Sequence, residues 1–154
     1  MSVDQIEREV RIAAPVERVW ALVTEAEHLG TWFGDAGAEV DLRPGGELLL
    51  RWARAGGGAV TAKARIEQVE PPRRLSYRWV PGEAGGELVD GHTTLVELTL
   101  REDGDGTLLK VVESGFASLT FPDDDRERRR ADNTGGWAAE LDELVRYALE
   151  PAAR

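Results

Sequence analysis

The chain has 154 residues, 42% of them hydrophobic, which suits one domain with a buried core and is far from a disordered composition. Nineteen basic against 29 acidic residues give a formal charge of −10, so a nucleic-acid partner, which needs a clustered basic face, is not expected. There is no cysteine and no apolar run near the roughly 20 residues needed to span a membrane, which leaves a reducing, cytoplasmic setting and no integral membrane association as the expectation.

The opening segment MSVDQIEREV lacks a basic-then-apolar export pattern. Gln5 to Ile12 alternate, with Ile6, Val10 and Ile12 on one side and Glu7, Glu9 and Arg11 on the other, the mark of a half-buried strand. Pro15 stands at a first helical position, and Val16, Val19, Trp20 and Val23 follow at helical spacing. A second short helix is expected to restart with Thr24 as its N-cap and to end at Gly30, with a bend that turns Trp32 or Phe33 inward.

From Ala36 to Glu113 turn residues recur: Arg43-Pro44-Gly45-Gly46, Ala55 to Gly58, Pro71-Pro72, and Asp103-Gly104-Asp105-Gly106. Pro81 to Gly91, with four glycines, is expected to be a longer, mobile loop. Strands are predicted near residues 36–42, 46–54, 59–69, 74–80, 92–102 and 106–114, linked by hairpin-length turns into an antiparallel meander. Alternation puts Leu75, Tyr77 and Trp79 on the inner face, together with Val96, Leu98 and Leu100 and, carried backwards, Thr94 and His92. The same rule turns Leu109, Val111 and Glu113 inward, and Leu48, Leu50 and Trp52. The next strand offers small inward residues, Ala62 and Ala64, which either leave a cavity or let a helix approach closely.

The arginines at 126 and 128–130 follow Asp123 to Asp125 and read as a solvated helical face with acids at the positive helix N-terminus. The tail, Asn133 to Leu149, carries Trp137, Leu141, Leu144, Val145, Ala148 and Leu149 as one apolar stripe, with Glu140, Asp142, Glu143 and Arg146 mostly on the other side. A mid-helix pair, Gly135-Gly136, implies a bend, a late helix start, or a close approach to the sheet. The expected architecture is α+β: a curved antiparallel sheet wrapped around one long C-terminal helix, in a single domain over 1–154 with its core at about 5–150.

The run Ile12-Ala13-Ala14-Pro15-Val16-Glu17-Arg18-Val19-Trp20, then Leu29 and Trp32-Phe33, resembles the N-terminal signature of the SRPBCC (START-like, helix-grip) superfamily. Pro44-Gly45-Gly46, the stretch Glu70 to Trp79, and Gly106-Thr107 through Glu113-Ser114-Gly115-Phe116 followed by Gly136-Trp137 resemble the branch named for the C-terminal domain of the activator of the heat-shock-protein-90 ATPase. The resemblance implies a β-α-α-β-strands-α fold with a cavity between sheet and helix. It carries no catalytic motif and implies no cofactor. The eukaryotic co-chaperone has a separate chaperone-binding domain that no part of this chain resembles.

Candidate ligand-binding residues are Trp32, Phe33, Trp52, Trp79, His92, Glu113, Phe116, Asn133, Trp137 and Leu141. Five tryptophans suit a hydrophobic, aromatic, polyketide or lipid-like small molecule, although for any single tryptophan ordinary core packing is the commoner role. Glu113 and His92, both inward by alternation, are alternatively an acid–base pair of a polyketide cyclase or hydrolase. A third reading is a chaperone ATPase regulator. Two distant histidines and no cysteine make a zinc site improbable, the glycine runs lack the lysine of a phosphate loop, and either monomer or homodimer is compatible with the sequence.

Overall fold

The computed structural model describes residues 4–81, 88–89 and 91–151. Most of the expected Pro81–Gly91 loop lies outside these residues. The chain runs β1 (Gln5–Ile12), α1 (Val16–Thr24), α2 (Ala26–Trp32), β2 (Ala38–Val40), β3 (Glu47–Ala53), β4 (Ala59–Glu70), β5 (Arg74–Trp79), β6 (Thr94–Asp103), β7 (Gly106–Ser114), a 3-10 turn at Phe116–Ser118, and α3 (Asp123–Tyr147). The strands form one antiparallel sheet in the order β1-β7-β6-β5-β4-β3-β2. This is the α+β helix-grip fold, with the curved sheet facing the long helix.

Alternation decides the inner face as expected. Leu75, Tyr77, Trp79, Thr94, Val96, Leu98, Leu100, Leu109, Val111 and Glu113 are all buried. In β4 the register slips between Ile66 and Gln68, a bulge that bends the strand where the sheet curves. In α1, Val16, Val19, Leu22 and Val23 are buried and Trp20 is half-buried against the core.

Both ends of α2 differ from expectation. Thr24 is the last residue of α1, not an N-cap: its hydroxyl donates back to the Trp20 carbonyl at 2.7 Å. The second helix starts from Glu25 and runs through Gly30 to Trp32, and both Trp32 and Phe33 are buried. Gly30 and Gly34 permit this: a Cβ on either would lie 2.7 Å from backbone of β2 or β3, so α2 sits hard against the sheet edge.

The long helix begins at Asp123, with Pro122 as its N-cap residue, rather than at Asn133. Its first turns carry no apolar stripe. They are held by pairs one turn apart, Arg126 with Asp123, Arg128 and Arg129 with Asp125, and Arg130 with Glu127. Arg129 departs from the solvated face: it is buried, donates to the Pro81 carbonyl at 2.9 Å, and lays its guanidinium 3.8 Å from the Phe121 ring centre. Gly135 and Gly136 lie within a continuous helix, exposed, with nothing within 4 Å of a Cβ on either. They serve neither a late start nor a close approach.

Candidate functional site

Among the described residues, Glu113 on β7 is a fully buried carboxylate on the inner face, with 0% of its surface exposed. Register sets its neighbours. Glu113 faces Val96 across the β6–β7 pair, and Trp79 faces Thr94 across β5–β6. From above, Asn133 and Trp137 project from one face of α3, four residues apart. All four donate to the carboxylate. Trp79 Nε1 reaches Oε2 at 2.8 Å and Thr94 Oγ1 reaches the same oxygen at 2.5 Å. Trp137 Nε1 reaches Oε1 at 2.8 Å, and Asn133 Nδ2 bridges both oxygens at 3.0 and 3.1 Å. Both oxygens act only as acceptors, the role of an ionised carboxylate. Four donors of this kind offset the cost of burying the carboxylate.

This network fastens α3 to three strands at once. A second tether lies nearer the C-terminal end, where Tyr147 and His28 Nδ1 of α2 are 2.8 Å apart. Between the tethers the helix and sheet enclose a small cavity of about 10 Å³, room for roughly one water molecule. Its walls are Val23, Leu29, Leu48, Leu75, Leu98 and Leu141 with the rings of Trp32, Phe33, Tyr77 and Trp137. The β4 alanines do not line it.

The aromatic residues form one connected array with Phe33 at its centre. Phe33 lies 5.1 Å from Trp32, 5.6 Å from Trp52, 6.1 Å from Trp79 and 5.5 Å from Trp137, and Trp79 lies 5.8 Å from Trp137. These separations fall in the range where rings attract beyond their buried area. Trp52 is the half-buried, outermost member.

Eight of the ten expected site residues therefore meet here: Trp32, Phe33, Trp52, Trp79, Glu113, Asn133, Trp137 and Leu141. Phe116 is buried in the 3-10 turn after β7, away from the cavity wall. His92 precedes β6 and stacks on Phe121 at 4.4 Å; among the described residues it makes no hydrogen bond to Glu113.

Two further residues touch this cluster, Tyr77 against Trp79 and Glu140 against Trp52. Tyr77 was legible as an inward residue, but its hydroxyl is buried with no hydrogen-bond partner. Burial pushes the phenol well above its ordinary value, and the charge of Glu113 adds to this. Glu140, assigned by pattern to the outer face of α3, is half-buried with one carboxylate oxygen unpartnered. Burial chiefly, then the charges of Glu143 and Asp35, raise its pKa to about 7, against a hydrogen bond from the Trp52 side chain. Its place one turn after Trp137 was the available signal. Among the described residues no group of three or more His, Asp or Glu could hold a metal ion, and no helix is long and apolar enough to cross a membrane.

Over residues 13–148 the chain matches the family described as Activator of Hsp90 ATPase homolog 1-like protein. Among solved structures, CalU16 from Micromonospora echinospora is 29% identical, with a TM-score of 0.68 over 94% of this chain and 76% of that one. Protein NE0264 from Nitrosomonas europaea is 21% identical, with a TM-score of 0.76 over 94% of each chain. DynU16, described as a protein in the dynemicin biosynthetic locus, is 24% identical, with a TM-score of 0.71 over 95% of this chain and 47% of DynU16. At the two lower identities the likeness is one of fold. No curated protein matches the chain.

Proposed function

The chain belongs to the Activator of Hsp90 ATPase homolog 1-like family, and from that premise we propose that it is a binding protein for a hydrophobic, aromatic or lipid-like small molecule held between the sheet and α3. The observation that carries the reading is the apolar cavity itself, walled by ten side chains from α1, α2, the sheet and α3 and bordered by the Phe33-centred ring array. Ligand sites are concave and mostly apolar, with few polar groups to fix orientation. The likeness to a protein of a biosynthetic locus is in keeping with a small-molecule ligand.

Such a ligand exceeds the enclosed space, so binding must widen the seam. Gly30 and Gly34 hold α2 against β2 and β3 with no slack. The half-buried Trp52, at the outer edge of the array, is the side chain with room to turn, and Phe33, packed on four rings behind it, would have to move with it. The reading keeps the cytoplasm as the setting, supported by the lack of cysteine. Acid–base catalysis by Glu113 and His92 has less support, because Glu113 is fully engaged by four donors and His92 is turned to Phe121.

The test is tryptophan fluorescence and thermal shift across a broad library of lipids and aromatic polyketides. A saturable response that weakens when Phe33 or Trp137 is replaced by Leu is expected. No response to any member would end the reading.

A further inference from the structure

Of the polar side-chain atoms on the cavity wall, one is left over. Trp32 Nε1 donates to the Leu22 carbonyl at 2.7 Å, and Trp137 Nε1 donates to Glu113 at 2.8 Å. The Tyr77 hydroxyl, on a residue 2% exposed, has no partner. Nor can it take a place on Glu113, whose two oxygens already receive Trp79, Thr94, Asn133 and Trp137. A buried hydroxyl left unpaired costs about 1–3 kcal/mol, and nearly all buried polar groups in folded proteins have a partner of some kind.

We propose that Tyr77 is the polar anchor of the cavity, donating its hydroxyl proton to the carbonyl oxygen of a neutral, planar aromatic ligand. The proposal rests on the binding reading above and narrows the ligand class. The phenol keeps its proton through the physiological range, held by burial and the neighbouring carboxylate, so it meets an acceptor. The carboxylate of Glu113 lies close by in a water-poor interior, where a second negative charge is repelled. A ketone or quinone oxygen is therefore favoured over the carboxylate of a fatty or aromatic acid. The flat walls of Trp32, Phe33 and Trp137 favour a planar body.

The test uses three probes of one shape, 2-acetylnaphthalene, 2-isopropenylnaphthalene (a CH2 group in place of the oxygen) and 2-naphthoate. Each is titrated into the full chain and into Tyr77→Phe, with the indole N–H signals of Trp32 and Trp137 followed by NMR. The native chain should bind the ketone about fivefold tighter than the alkene, and naphthoate more weakly than either. In Tyr77→Phe the ketone and alkene should bind equally, with the alkene unchanged. Equal binding of ketone and alkene to the native chain, as a lone water on Tyr77 would give, overturns the anchor. So does a ketone preference that survives in Tyr77→Phe, and naphthoate outbinding the ketone overturns the neutral class. Alkene binding without ketone preference removes only the anchor; failure of both neutral probes overturns the planar aromatic class, and the binding reading itself falls only if the broader library is silent too.

Discussion

The indole N–H of Trp137 donates to Glu113 at 2.8 Å, so a helix residue and a strand residue 24 positions apart share one buried bond. The carboxylate is the knot through which α3, β5, β6 and β7 are joined. Glu113→Gln keeps the shape but points an amide N–H2 at groups that also donate. We expect a loss of about 2–4 kcal/mol in urea unfolding, with the helix end loosened. An unchanged midpoint would mean that the four donors find other partners.

Tyr77→Phe should behave oppositely. Removing a buried hydroxyl that bonds nothing relieves a desolvation cost, so stability should be unchanged or rise by about 1 kcal/mol. A clear loss in calorimetry would show that the hydroxyl has a partner in solution.

Gly135→Ala and Gly136→Ala each replace an exposed mid-helix glycine in open space. Each should add about 0.5–1 kcal/mol from helix propensity alone. Thermal midpoints of the single and double variants check this, and a destabilised double variant would contradict the observed helix path.

Glu140 gives a pH signature. Its folded pKa of about 7 lies above the ordinary 4.5, so the folded chain holds this proton more tightly than the unfolded one. The stability that protonation contributes is lost as pH rises from about 4.5 through 7, and the curve is flat for this group above that window. Because the carboxyl is partly open to solvent, the slope is modest. The gap in thermal midpoint between Glu140→Gln and the native chain should therefore grow from pH 4 to pH 8 in favour of the variant. A constant gap would place the carboxyl fully in water.

Leu141→Ala should cost about 3 kcal/mol, since the leucine is 2% exposed on the cavity wall. The space it leaves should let small aromatics bind more tightly than to the native chain, as read by their stabilisation of the variant. Absence of any such rescue would mean that the wall collapses inward.

Much of this arrangement was legible in the residues. Alternation along β7 turned Glu113 inward, and it did the same for Tyr77 and Trp79 in β5. The partners of Glu113 were not legible as partners, because they come from three elements and the direction of an indole N–H leaves no trace in hydrophobic spacing. His92 shows where alternation stops: the pattern was carried back past Thr94, where β6 begins, and the turn at Gly91 gives the chain another course. The first ten residues of α3 were missed as part of the tail helix because ion pairs, not an apolar stripe, line them. Glu140 was misplaced because a half-buried acid at the border of a stripe looks like any surface acid.

The pairing of β1 bears on how the chain is made. Every other adjacent pair in the sheet joins consecutive strands, but residue 5 meets residue 114. Made before β7, β1 thus has no partner in this sheet until β7 has followed it, while β2 to β7 can zip as local hairpins. Closing that long loop carries the entropy of a non-local contact and belongs late in folding. During translation β1 is an unpaired strand with one apolar side, the state in which a nascent chain is most open to misassociation.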